Sequence, residues 1–137
     1  MKKTATRLVT LAGIIIAAFS LTACGAAVDK ALSDAVKQLN ESTPMLVDSE
    51  TQLDNAEAPG NRVLRYNYSL VNIAQGDLTA EEINELEQGV APGVITQIKG
   101  NASMDPLKSL DVIFEFRYST NDGQELFTIR VEPEDYK

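Results

Sequence analysis

The sequence of 137 residues contains no histidine, no tryptophan and a single cysteine. Without histidine there is no Ser-His-Asp or Cys-His pair, and no imidazole to bind zinc, copper or haem. One cysteine forms neither an internal disulfide, nor a CxxC redox pair, nor an iron–sulfur site. A Gly-rich phosphate loop is also missing, and the remaining carboxylates, hydroxyls and lysines show no nucleophile–base spacing. No catalytic set, no metal site and no cofactor is therefore expected. Basic residues are scarce as well: past residue 23 there are 9 of them against 20 acidic ones. So acidic a chain repels nucleic acid phosphates and anionic lipid headgroups, which leaves no nucleic acid among the expected partners but is compatible with a basic protein. The length suits one domain.

What is present begins with a basic start, Lys2, Lys3 and Arg7, ahead of an apolar run from Leu8 to Phe19. That run is shorter than the roughly 20 apolar residues needed to span a bilayer, but it fits the hydrophobic region of a secretory signal peptide. The sequence Leu21-Thr22-Ala23-Cys24 follows in register. It resembles the lipobox of bacterial lipoproteins, where a branched residue and two small ones precede an invariant cysteine. The resemblance implies a diacylglyceryl thioether on Cys24, cleavage between Ala23 and Cys24, and acylation of the new amino group. Each buried CH₂ contributes about 0.8 kcal/mol, so several acyl chains hold a protein on the lipid bilayer essentially permanently. Gly25, rather than Asp, follows the cysteine; under the Gram-negative sorting rule this implies delivery to the periplasmic face of the outer membrane. Residues 1–23 are thus expected to be a lipoprotein signal peptide, 24–27 a lipidated N-terminus with a short linker, and 28–137 a single domain. Four residues reach about 14 Å even when extended, which keeps the domain beside the membrane.

Val28, Ala31, Leu32, Ala35, Val36 and Leu39 recur at helical spacing, which predicts an amphipathic helix ending near Ser42-Thr43-Pro44. Thr51 to Glu57 reads as a strand, and Ala58-Pro59-Gly60-Asn61 as a turn. Leu64, Tyr66, Tyr68 and Leu70 alternate with polar residues, the pattern of a half-buried strand whose tyrosines face the core. Thr79 and Glu82 form a capping box, with Leu78 and Ile83 as a hydrophobic staple. The helix they open presents Ile83, Leu86, Val90, Val94 and Ile98 to the core, and Pro92 is expected to kink or divide it. Residues 100–106 read as a loop or broken turn. Two closing strands, Val112–Tyr118 and Leu126–Val131, flank Asp122-Gly123, a hairpin signal because Gly accepts the positive φ of such turns. Pro133 and an acidic tail end the chain.

The order α-β-β-α-β-β predicts an α+β two-layer sandwich, an antiparallel four-stranded sheet with helices on one face. The two α-β-β halves hint at a repeat, though their residue identity is slight. Asn121 to Glu125 carries oxygen donors without EF-hand spacing and is better explained as the hairpin turn. Three Asn-X-Ser matches, at Asn40, Asn67 and Asn101, carry no weight in a bacterial lipoprotein.

The run from Pro44 to Asp54, the strand Leu64 to Val71, and the ending from Tyr118 through Asp122-Gly123 to Pro133-Glu134-Asp135 are similar to a group of small exported bacterial proteins without an assigned function. Members often carry a cysteine after the second helix and another at the extreme C-terminus, implying a disulfide. Here Gly100 or a neighbour and Tyr136 stand in those regions, so that staple is missing. Asp48 and Thr51 lie in the first of these runs and read as turn residues that cap local backbone. The functional alternative is a polar ligand site of Asp48, Thr51 and Asn67. The expected function is that of a non-enzymatic, membrane-anchored accessory or protein-binding module with an envelope protein as partner. The alternatives are an inhibitor or immunity-like protein using its acidic surface, and an enzyme or ligand carrier for an envelope component.

Overall fold

Alternation of apolar and polar residues along four strands gives one sheet face to the core and the other to solvent, and this division organises the molecule. The computed structural model describes residues 28–137. Cys24, the lipobox and the signal segment lie outside them. Helix α1 (Val28–Asn40) buries Ala31, Leu32, Ala35 and Leu39, one stripe at helical spacing. After it come β1 (Met45–Leu46), β2 (Thr51–Gly60) and β3 (Val63–Leu70). Helix α2 (Ala80–Gly100) opens on the capping box: Thr79 Oγ1 accepts from the Glu82 N–H at 3.1 Å, and Glu82 Oε1 from the Thr79 N–H at 2.9 Å. A 3₁₀ turn (Ala102–Met104) and the short α3 (Asp105–Lys108) lead to β4 (Ile113–Thr120), β5 (Glu125–Val131) and α4 (Pro133–Tyr136).

The α+β class holds, with corrections to its detail. The sheet has five strands, in the order β1-β2-β3-β4-β5, not four. The extra strand is two residues long and pairs Met45 with Leu53 and Leu46 with Gln52. The sheet is not wholly antiparallel, because β3 and β4 pair in parallel from Val63↔Ile113 to Leu70↔Thr120. A parallel pair needs a crossover, and α2 with its flanking turns supplies it. Helix α2 is also undivided across Pro92. Pro92 and Gln88, whose carbonyl loses its donor, are both solvent-exposed, so water can satisfy that group. The stretch 100–106, expected as a loop or broken turn, closes α2 and forms the 3₁₀ turn and the start of α3, and the acidic tail forms α4.

Helix α1 packs on β2 and β3, and α2 on β5 and α4. Between them lies an aromatic row on the central strands. Tyr66 stacks on Phe116 at 5.0 Å between centroids, Tyr68 on Tyr118 at 5.1 Å, and Tyr118 on Phe127 at 5.0 Å. Burying each such ring stabilises the fold by about 1.5–3 kcal/mol. Tyr136 ties the tail down noncovalently. Its hydroxyl donates to the Val112 carbonyl at 2.7 Å and its ring meets Phe114 edge-on at 5.9 Å. The β2–β3 turn passes through positive φ at Gly60, Asn61 and Arg62 (121°, 57° and 66°). Arg62 has no intrinsic preference for that region. It is held there from both sides, its guanidinium donating to the Leu110 carbonyl at 3.1 Å and its own carbonyl accepting from Ile113 at 2.8 Å.

The edge strand β2 is closed by a side chain. Asn40 Nδ2 donates to the Ala56 carbonyl at 3.0 Å, and Asn40 Oδ1 accepts from the Ala56 N–H at 2.8 Å. One amide therefore imitates a neighbouring strand and fixes the end of α1 to the sheet. Asn40→Ala leaves both Ala56 groups without these bonds and is expected to cost about 1–3 kcal/mol. Lys30→Ala, which removes only an exposed ion pair with Asp34, should cost under about 0.5 kcal/mol. Denaturant unfolding of the two variants measures the difference, and equal midpoints would refute the bracing role.

Candidate functional site

Between β1 and β2 the chain reverses at Val47–Glu50. The N–H groups of Val47 and Asp48 both donate to the Thr51 carbonyl, at 2.9 and 3.4 Å, and Asp48 Oδ1 accepts from the Glu50 N–H at 2.8 Å. This is an Asp-capped turn, in which a carboxylate satisfies local backbone. Two atoms stay unsatisfied: the Thr51 hydroxyl and Asp48 Oδ2 are buried and find no hydrogen-bond partner among the described residues. Thr51 is 1 % exposed. Tyr118 faces the same corner. Burial, and then the negative charge of Asp48, push its hydroxyl well above the ordinary tyrosine value.

The structure brings Asp48 and Thr51 together but places Asn67 elsewhere. Thr51 and Leu53 pair with Leu70 and Tyr68 on the helix-covered face, whereas Asn67 alternates with Tyr66 and Tyr68 and so faces solvent. Its Nδ2 donates to Asn55 Oδ1 at 2.8 Å and to Glu57 Oε2 at 3.0 Å.

Asn67 belongs to a polar network that sequence reasoning missed. Across the open face runs a ladder of alternating charge. Arg65 donates through Nη1 to Glu57 Oε2 at 3.2 Å and through Nε to Glu115 Oε1 at 2.9 Å. Arg130 donates through Nη1 to Glu115 Oε2 at 2.8 Å and through Nε to Glu132 Oε2 at 2.7 Å. Glu57, Arg65, Glu115 and Arg130 stand directly opposite one another in register on β2, β3, β4 and β5. Each pair is thus a cross-strand neighbour of opposite sign. The signal was the charged residue between apolar ones on every strand, which becomes a ladder only once the register is known. Beside it, Asp54 Oδ1 accepts from Ser69 Oγ at 2.9 Å and Gln52 Nε2 at 2.7 Å.

The Asn67 hydrogen bond, aided by Arg65 and opposed by partial burial, holds the Glu57 carboxyl below its ordinary value. Desolvation weighs against the Arg65 charge, but its bonds to Glu115 and Glu57 outweigh it and raise its pKa. An ionised, guanidinium-paired Glu57 is the opposite of a general acid, which needs a raised pKa. Among the described residues no group of three or more acidic or cysteine side chains is placed to hold a metal ion, and no helix is long and apolar enough to cross a membrane. The described residues include shallow grooves. One of about 460 Å³ lies between α1 and the end of β2, lined by Asp29, Leu32, Ser33, Val36, Ala58 and Gly60. Another, about 330 Å³, lies at Asp105, Lys108, Ser109, Tyr136 and Lys137.

No protein-family model matches the chain, and no curated protein matches it in sequence. Solved structures do match in fold. A protein of Pseudomonas aeruginosa described as secreted superposes with a TM-score of 0.67 at 17% identity, over 80% of this chain and 93% of that one. The type 2 secretion system pilotin EpsS of Vibrio vulnificus gives 0.60 at 10% identity, over 80% and 92%. The type II secretion system pilotin AspS of Vibrio cholerae gives 0.56 at 11%, over 79% and 91%. At these identities the likeness establishes the fold.

A carboxyl whose pKa is lowered on folding adds stability above its unfolded pKa and loses it as the pH falls through the folded value. Glu57 should therefore contribute fully above its ordinary 4.5 and progressively less below it. Asn67→Ala is expected to raise the Glu57 pKa toward that ordinary value and flatten the acid limb of the stability–pH curve. Carboxyl NMR titration checks it; an unmoved Glu57 titration would show that Asn67 does not hold the charge.

Proposed function

We propose that the chain is a non-enzymatic lipoprotein of the bacterial envelope, an accessory that binds a protein partner of a secretion-type assembly at the periplasmic face of the outer membrane. The observation that carries this reading is the fold match to two pilotins of type 2 secretion systems, over about four-fifths of this chain and more than nine-tenths of each of theirs. The Leu21-Thr22-Ala23-Cys24 lipobox supports it independently, since it supplies the anchor that keeps such an accessory at a membrane. A polar, charge-paired face whose Glu57 is held below its ordinary pKa suits binding better than catalysis.

Anchoring at Cys24 gives the domain an orientation. The start of α1 lies beside the end of β2, where Asp29 and Leu32 share a groove with Ala58 and Gly60. With a linker of about 14 Å at most, this end sits against the bilayer. The Asp48–Thr51 corner, the loop 71–79 and the β4–β5 turn then point into the periplasm. Asp48 and Thr51 belong to that outward end and Asn67 to the open sheet face. The three residues therefore mark two surfaces a partner could meet rather than one site.

Mass spectrometry of the protein from membranes should find a mature N-terminus at Cys24 carrying acyl chains, with Cys24→Ser unprocessed or released from the outer-membrane fraction. Crosslinking in cells should recover a specific envelope partner with the wild type and lose it with Cys24→Ser. An unacylated N-terminus, one beginning at another residue, or recovery of abundant envelope proteins alone would overturn the reading.

A further inference from the structure

The two edges of the sheet are treated differently. On the β2 side, β1 covers Leu53 and Gln52, the Asn40 amide closes Ala56, and Pro59 ends the row. On the β5 side nothing comparable occurs. The seven residues from Glu125 to Val131 pair with β4 alone, and among the described residues no hydrogen bond from any other element reaches their backbone. The strand contains no proline and no lysine. Its one register shift lies at Tyr118/Ser119, so Phe127 to Val131 is an unbroken, regular run. Edges are ordinarily blunted by proline, lysine, a bulge or a cover, because bare N–H and C=O groups recruit another strand. Here one edge has such devices along its length, while the other has a single bulge at Leu126, near its start, and none from Phe127 to Val131.

We propose that the outer edge of β5 accepts an extended segment of the partner protein as a sixth strand, a segment in which basic and apolar residues alternate. Main-chain hydrogen bonds along β5 supply the affinity, and the two faces of the sheet read alternate side chains. On the core side the added strand lies along Phe127, Ile129 and Val131, beneath α2, which packs on β5 and keeps Ala91 and Ile95 only partly buried. On the solvent side it meets Glu125, paired with Arg117, then Arg130 and, past the end of the strand, Glu132, which pairs with Arg130. Helix α2 runs in the same direction as β5. Its last carbonyls, at Ile98 and Lys99, accept from Lys108 Nζ, and the Lys108 carbonyl lies within 3.5 Å of the Tyr136 hydroxyl just beyond β5. The exposed Glu81 and Glu85 at the start of α2 therefore lie toward the Glu125 end of the edge. Glu81, Glu85, Glu115, Glu125 and Glu132 outnumber Arg117 and Arg130 near this edge, and the surplus of negative charge favours a cationic segment and steers its encounter. The same field opposes a second copy of this chain, whose residues past 23 also hold 9 basic side chains against 20 acidic ones.

This inference rests on the reading of the chain as a protein-binding module, so its test has two arms. In the first, full-length lipoprotein in detergent is mixed with a nine-residue peptide alternating lysine and valine, and backbone exchange is followed by NMR. Alternate β5 amides should exchange about tenfold more slowly, with β2 unchanged. A glutamate–valine peptide should protect far less, and the lysine–valine peptide N-methylated at alternate backbone nitrogens not at all. Protection elsewhere with β5 unchanged, or equal protection by the N-methylated peptide, would overturn the proposal. So would β5 protection without any peptide together with a dimer in sedimentation. In the second arm a photo-crosslinking residue replaces Glu125, or Lys30 on α1 as a control, in cells. Capture of the wild-type partner from Glu125 supports the proposal. Capture from Lys30 alone refutes the edge while leaving the function standing, whereas peptide protection of β5 with no cellular partner from any position refutes the function and leaves the edge.

Discussion

The parallel pairing of β3 with β4 is the contact on which the other elements depend. It places Leu64, Tyr66, Tyr68 and Leu70 beside Phe114, Phe116, Tyr118 and Thr120 without a break in register, and every one of these eight residues is at most 3 % exposed. Aromatic stacking between the two strands adds roughly 0.5–1.5 kcal/mol per pair beyond burial. The pairing also dictates connectivity. Parallel strands cannot be joined by a tight turn, so 42 positions, 71–112, leave the sheet and return to it. The return is fastened by a contact from the far side of the first hairpin, where Arg62 meets Leu110 and Ile113. At the other end, Asn121 donates from its backbone to the Ile73 carbonyl and from its side chain to that of Val71. The crossover is thus pinned where it leaves β3 and where β4 ends.

Register on one face determines chemistry on the other. Because Tyr66 opposes Phe116 in the core, Arg65 must oppose Glu115 on the solvent side, and Glu57 and Arg130 follow on the outer strands. Exposed ion pairs contribute little singly. Glu115, only 12% exposed and shared by two guanidinium groups, makes this row a network rather than isolated pairs. A one-residue slip of any strand would send its aromatic residues to water and separate the charges. The face that remains open to solvent is therefore also a check on the strand pairing beneath it.

The local features were legible because each depends on residues close in sequence. The α1 stripe, the Thr79–Glu82 capping box, the Asp122-Gly123 turn and the Asp48 turn all involve neighbours within a few positions. Features set by distant partners were not. Nothing in Met45-Leu46 announces a strand, since it exists only because Leu53 and Gln52 lie beside it. Consecutive strands invited hairpin pairing throughout, although the helix between β3 and β4 was itself the mark of a parallel crossover. The tail resembled an acidic end until Tyr136 was seen to reach Val112. Asn67 could have been removed from the polar set by alternation alone, because its neighbours Tyr66 and Tyr68 were already assigned to the core. Placing Asp48 and Thr51 together needed only the turn; giving them Tyr118 as a neighbour needed the whole sheet.

On the proposed reading, anchoring and edge asymmetry bear on the same question, which is how a small acidic domain would meet one partner and not itself. A lipid anchor confines copies to a surface, raising their local concentration and with it the chance of self-pairing through any bare strand. On β2 that hazard is met structurally, by β1 and the Asn40 amide. On β5 it is met only by charge, since the edge is bare but the domain around it is acidic. Charge discriminates where a physical cover cannot: it repels an identical neighbour and admits a cationic strand. The acidic composition, which by itself speaks only to solubility and to ligands excluded, becomes on this sheet the condition that lets β5 stay open.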